Sequence, residues 1–155
     1  MLKTFWNAAL SPLLRRPARF QVAALCFRKG PDGPEILMIT SRDTGRWILP
    51  KGWPKPGLNA EGTACEEAWE EAGVRAKKAP ARKIGQYHYD KRLKGGVPVL
   101  TEVDVYAVEV ENLHKTFPEM SERTRRWMSP PEAAAAVDEP DLKELLENLP
   151  SDLGT

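Results

Sequence analysis

Between Ala64 and Ala72 the chain reads ACEEAWEEA, and four of these nine residues are glutamates. At about 100° per residue, Ala64, Cys65, Ala68, Trp69 and Ala72 fall on one arc of a helix. Glu66, Glu67, Glu70 and Glu71 fall on the opposite arc. The carboxylates then form three like-charge pairs at helical contact spacing, 66/70, 67/70 and 67/71. At roughly 0.2–0.5 kcal/mol per pair, their repulsion costs on the order of 1 kcal/mol, where opposite charges would have stabilised the helix. Two roles suit such a face. It is either a solvated surface, as most glutamate runs are, or a site for a hard divalent cation that wants several carboxylate oxygens at close range.

The flanking sequence supplies the elements that must hold this helix. RFQVAALCFR (residues 19–28) and EILMITSR (35–42) are β-prone and apolar, and PDGP (31–34) separates them with a turn signal, so they predict a hairpin. A short strand from Trp47 to Leu49 runs into the Pro50-Lys51-Gly52 turn. The helical period extends over Asn59–Ala72, and Gly73 provides a left-handed stop. Two strands are expected at about 81–90 and 97–111, joined by the basic KRLKGG loop, with Val103, Val105 and Ala107 alternating with Glu102, Asp104 and Tyr106. Ser129-Pro130-Pro131-Glu132 is a capping box that opens a helix over Ala133–Val137. Pro140 opens a last helix through Leu142, Leu145, Leu146 and Leu149. This order predicts a mixed α/β domain with helices covering a central sheet.

Composition narrows the classes of partner. At 155 residues the chain is long enough for one domain with a continuous core. Its 23 bases against 22 acids give a formal charge of +1, without the basic excess that a nucleic-acid binder relying on bulk electrostatics would show. Cys26 and Cys65 have neither metal-ligand nor disulfide-framework spacing, which suits a reducing, cytoplasmic setting. No apolar run approaches the roughly 20 residues needed to cross a bilayer. The charge is uneven, since six bases and no acid precede Asp32. Residues 1–18 are expected to form a basic N-terminal arm, packed on the domain or in a homodimer contact through Phe5, Trp6 and Leu10. Residues 19–149 are expected to form the domain and 150–155 a tail.

GWPKPGLNAEGTACEEAWEEAGV, Gly52 to Val74, resembles the Nudix box: Gly, five residues, Glu, seven residues, then Arg-Glu-apolar-X-Glu-Glu-X-Gly-apolar. Gly52, Glu67, Ala68, Glu70, Glu71, Gly73 and Val74 stand in register, while Leu58 replaces the first Glu and Glu66 the Arg. AALCFR (23–28), TSRDTGRWILPKG (40–52) and RTRRWMSPPEAAAAV (123–137) are similar to the diphosphoinositol polyphosphate and diadenosine polyphosphate branch of that family. The resemblance implies a Nudix α/β/α sandwich with a mixed central sheet. It also implies hydrolysis of a phosphoanhydride in a small-molecule polyphosphate, with Mg²⁺, or Mn²⁺ in its place, as cofactor. Glu67, Glu70 and Glu71 and the Lys51 carbonyl are the implied metal ligands, with Glu70 or Glu67 as general base and Gly52 and Gly73 shaping the motif. Thr40, Arg42, Arg19 and Arg125 are the implied substrate contacts, with Arg92 or Lys94 as further candidates. The alternative reading is a Nudix-fold sensor that binds a phosphorylated ligand without cleaving it.

Overall fold

In the computed structural model, which describes residues 19–92 and 96–153, the hairpin expected around Pro31 forms. β1 (Arg19–Gly30) turns into β2 (Gly33–Thr40), antiparallel, with Gly30 opposite Gly33. Gly33 takes φ 128°, a conformation that glycine alone enters at little cost. β1 is buried without interruption from Val22 to Phe27 because it lies mid-sheet. It also pairs with β4 (Lys51–Gly52) and, in parallel, with β7 (Pro98–Leu113). An unbroken apolar run is what a strand covered on both faces requires.

β3 is only Trp47–Ile48, because Leu49 and Pro50 carry the chain across to β4. α1 spans Ala60–Ala72; the Asn59 side chain accepts from the Gly62 N–H at its start, and Gly73 ends it in the left-handed conformation. β5 (Val74–Ala76), β6 (Arg82–Arg92) and β8 (Arg125–Met128) complete the strands, β6 pairing antiparallel with β7. β5 and β8 add to the two strands expected after the helix, and β8 joins the sheet through β2. The capping box at Ser129 closes at both hydrogen bonds and starts α2 (Pro130–Ala136) with proline at its first position, as expected. α3 follows over Pro140–Glu147.

The sheet runs β3-β2-β1-β7-β5, with β4 on β1, β6 on β7 and β8 on β2. Alternate residues of β1 enter two separate cores. Ala23, Leu25 and Phe27 pack with Ala133, Leu142 and Leu146 of α2 and α3, whereas Val22, Ala24 and Cys26 pack with Ala64, Ala68 and Ala72 of α1. The result is the expected α/β/α sandwich. The expected arm (residues 1–18), Lys94 and residues 154–155 lie outside the described residues, as does the Arg92 side chain.

Candidate active site

α1 is not amphipathic in the simple sense that its sequence suggests. Its buried residues are Thr63, Ala64, Glu67, Ala68, Glu71 and Ala72, while Cys65 and Trp69, expected on the apolar arc, are only partly buried. Glu67 and Glu71 retain just 8% and 4% exposure, so two of the four carboxylates are not a solvated face. Gly52 explains how Glu67 fits. A Cβ at Gly52 would collide with the Glu67 carboxylate, so the bare backbone of β4 lies flush against it.

The two glutamates open into a cleft of about 640 Å³ whose lining also carries Arg42, Arg46, Lys51 and Arg123. Burial raises the pKa of Glu67, with the charge of Lys55 opposing it. Burial likewise pushes Glu71 up to about 7, although Arg123 and Lys51 pull it down. The Lys51 N–H donates to Glu71 Oε1 at 3.4 Å. Its ammonium lies over the Tyr89 ring, 5.3 Å from the centroid, and burial lowers its pKa to about 8 against the charge of Glu71. The Tyr89 hydroxyl donates to buried Gln21 Oε1 at 2.6 Å, fixing that ring at the cleft wall.

Arg123 is almost wholly enclosed, with a side chain 6% exposed. Its Nη2 lies 3.3 Å from Glu71 Oε1 and 3.0 Å from Glu119 Oε1, and its Nη1 donates to the Thr40 carbonyl at 3.0 Å. Arg46 is steered by Glu139, whose Oε1 is 2.9 Å from Nη1. Lys55 approaches the acidic helix from the other side, with Nζ 2.8 Å from Glu70 Oε1 and 3.3 Å from Glu67 Oε1. Burial works against the Lys55 charge, but Glu70 and Glu67 outweigh it and raise its pKa.

The expected site residues are thus only partly brought together. Glu67, Glu71, Lys51, Gly52 and Arg42 line the cleft, whereas Glu70 is absent from its lining and meets Lys55 instead. Arg42 is 59% exposed and pairs loosely with Glu119 and Glu122, at 3.7 and 3.8 Å. Arg19 stands beside the rim, 5.6 Å from the centroid of the Trp53 ring that lines the cleft, and Lys91 lies 4.7 Å from the same centroid. Thr40 ties two segments together, its Oγ1 accepting from the Thr124 N–H at 2.8 Å. Arg125, expected at the substrate, instead donates to the carbonyls of Ala72 and His114 at 2.7 and 2.8 Å and lies 4.8 Å from the Phe117 centroid. Arg123, two residues earlier in the same basic RTRRW run, is the one that enters the cleft. Arg46 stands within the TSRDTGRWILPKG segment and Lys91 opens the KRLKGG loop, but neither stretch marks these bases, or Lys55 or the Lys51 ammonium, as members of the cleft.

The donor chemistry fits a hard cation. Two desolvated carboxylates face one cleft, and each lies beside a cationic side chain, as buried oxygen ligands of a cation would. Among the described residues, no three carboxylate, imidazole or thiolate groups are gathered as a ready-made cage. The remaining ligands would therefore be backbone carbonyl, water and substrate oxygens, as Mg²⁺ sites commonly have.

The family model of the NUDIX domain matches residues 19–149. The chain belongs to the Nudix family. Diphosphoinositol polyphosphate phosphohydrolase 3-alpha of Mus musculus is 33% identical over 85 residues, 55% of this chain and 52% of that protein. Diphosphoinositol polyphosphate phosphohydrolase 2 of Rattus norvegicus is 34% identical over 86 residues, 55% of this chain and 47% of that protein. The chain thus spans about half the length of the curated relatives it matches. Among solved structures, an Ap4A hydrolase of C. elegans superposes with a TM-score of 0.64 at 17% identity, covering 84% of this chain and 94% of that one. The NUDIX domain of Shewanella oneidensis NrtR, complexed with ADP ribose, gives 0.63 at 15% identity, covering 95% and 96%. These two likenesses establish the Nudix fold. No helix among the described residues is long and apolar enough to cross a membrane.

Proposed function

We propose that this Nudix chain hydrolyses a phosphoanhydride bond in a nucleoside or inositol polyphosphate, with Mg²⁺ as its cofactor. One observation carries the reading: the desolvated carboxylates of Glu67 and Glu71 share a cleft with Arg42, Arg46, Lys51 and Arg123. A polyphosphate needs both halves of that arrangement, cations for its oxygens and carboxylates for the ion that accompanies it. The mouse and rat relatives are named for diphosphoinositol polyphosphates and the worm structure for Ap4A, and what these ligands share is a phosphoanhydride chain.

Glu67 and Glu71, with the Lys51 carbonyl, would hold the divalent cation. Once bound, that ion supplies charge neutralisation for the phosphates and a water acidified toward neutral pH. Arg42, the most exposed of the cleft arginines, meets the incoming phosphate chain at the rim. Lys51 and Arg123, deeper and drier, face the bond to be broken, where a low local dielectric strengthens each contact. Glu70, or Glu67 within the cleft, takes the proton from the attacking water.

The test is product formation from diadenosine polyphosphates, diphosphoinositol polyphosphates, nucleoside triphosphates and nucleotide sugars, with Mg²⁺, Mn²⁺ or chelator. At least one substrate should turn over, and chelator should abolish that turnover. Tight binding without turnover of any of the four would favour the sensor reading instead.

A further inference from the structure

Lys55 lies in the turn between β4 and α1, and its main chain is fixed at both polar groups. Its N–H donates at 3.3 Å to the hydroxyl of Thr63, a fully buried residue of α1, and its carbonyl accepts from the Leu58 N–H at 3.1 Å. From that anchored stem the ammonium reaches both Glu70 Oε1 and Glu67 Oε1, at 2.8 and 3.3 Å. These carboxylates stand three residues apart on one helix, where they repel unless a cation lies between them. The helix offers no cation of its own. Its last turn contains no base, and the residue one turn before Glu70 is another acid, Glu66. Among the described ion pairs, Lys55 serves Glu67 and Glu70, while Arg123 serves Glu71.

Resting on the hydrolase reading above, we propose that Lys55 is a positioning residue for catalysis, holding the Glu67 and Glu70 carboxylates in their working orientation from the loop. A basic side chain at position 66 would hold Glu70 from within the helix, one turn away. The assignment has two consequences of opposite sign. The ammonium orients the carboxylate that handles the proton, so its loss lowers kcat. The same ammonium competes with a divalent cation for a Glu67 oxygen, so its loss tightens metal binding. A side chain that merely stabilised the fold would produce neither this pairing nor its reversal from position 66.

The test compares the wild type with Lys55→Met, which keeps the apolar stem, Lys55→Arg, and Lys55→Met combined with Glu66→Arg. Two quantities are read: thermal stability titrated with Mg²⁺ alone, and steady-state kinetics at saturating Mg²⁺. Lys55→Met should bring the Mg²⁺ midpoint down roughly two- to fivefold, the effect of one removed, partly exposed charge. Its kcat should fall about 10–100-fold, the cost of a misplaced catalytic group, with KM unchanged. Lys55→Arg should keep most of kcat. Adding Glu66→Arg to Lys55→Met should restore kcat and raise the Mg²⁺ midpoint again, since an arginine there reaches Glu70 one turn on. A raised KM at unchanged kcat would make Lys55 a substrate contact and overturn the proposal. A weaker Mg²⁺ midpoint in Lys55→Met would overturn it, and so would failure of Glu66→Arg to rescue. A wild type inactive on every substrate would defeat the hydrolase reading. A turning-over wild type with kcat unmoved in Lys55→Met would defeat the Lys55 assignment alone.

Discussion

Glu71 carries the sharpest consequence at the scale of single residues. Burial raises its pKa to about 7 even with Arg123 and Lys51 beside it, whereas an unfolded glutamate titrates near 4.3. Between those values the folded state binds more protons than the unfolded one. In metal-free buffer the stability contribution of Glu71 is therefore full below about pH 4 and is lost as pH rises through about 7. Urea midpoints in chelator should fall over that window, and Glu71→Gln should flatten the slope. An unchanged slope would place the titrating group elsewhere. Arg42 makes the complementary case. Exposed at the rim with only loose partners at 3.7 and 3.8 Å, it contributes little to stability. Arg42→Ala should lower kcat/KM about 10–100-fold, mainly through KM, the loss of one charge-assisted contact of roughly 1.5–3 kcal/mol, while Tm stays put. Equal losses of Tm and activity would mark a structural ion pair. The glutamates were legible because helical spacing fixes them relative to one another. The choice between Arg123 and Arg125 was not, because both are arginines of the RTRRW run and only tertiary packing sends one into the cleft and the other to the end of α1.

At the scale of elements, α1 is clamped at both ends. Asn59 caps its start, and Arg125 takes up the Ala72 carbonyl at its finish, at 2.7 Å, bridging to the His114 carbonyl after β7. Arg125→Met removes these charge-assisted bonds and should cost about 2 kcal/mol, visible as a lower Tm, with kcat/KM of the folded enzyme intact. Loss of kcat/KM at an unchanged Tm would instead return Arg125 to the substrate. β4 sets the other boundary of the helix. Gly52→Ala would force the Glu67 carboxylate off β4, so the Mg²⁺-induced rise in Tm should shrink even where metal-free stability is close to wild type. An undiminished Mg²⁺ response would remove Glu67 from the ligand set. Caps and turns were readable here because Asn59, Gly73 and Ser129 act through their own neighbours. The burial of Glu67 and Glu71 was not, because periodicity places carboxylates outward, and only tertiary packing sets the bare Gly52 backbone against Glu67 and Arg123 against Glu71.

Across the whole molecule, the apolar pattern foretold a mixed α/β domain with helices over a central sheet, and the family resemblance added the sandwich. Alternate residues of β1 feed one core under α1 and another under α2 and α3. The cleft is a composite whose lining comes from the start of β1, the β2–β3 connection, β3, β4 and the residue after it, α1, the end of β6 and the segment leading into β8. Its cations are therefore scattered along the chain, and no local spacing relates Arg46 or Lys91 to Glu71. What unites the segments is the requirement that buried carboxylates meet opposite charge. The central claim is that Glu67 and Glu71 hold the ion on which hydrolysis depends. Its most direct test is the rate of phosphoanhydride hydrolysis at saturating Mg²⁺ by the Glu67→Gln, Glu71→Gln double variant beside the wild type. Loss of several kcal/mol of transition-state stabilisation predicts a fall of about 10²–10³-fold or more, in a protein at least as stable as wild type in metal-free buffer above pH 7. A folded double variant that keeps its rate within tenfold would contradict the account.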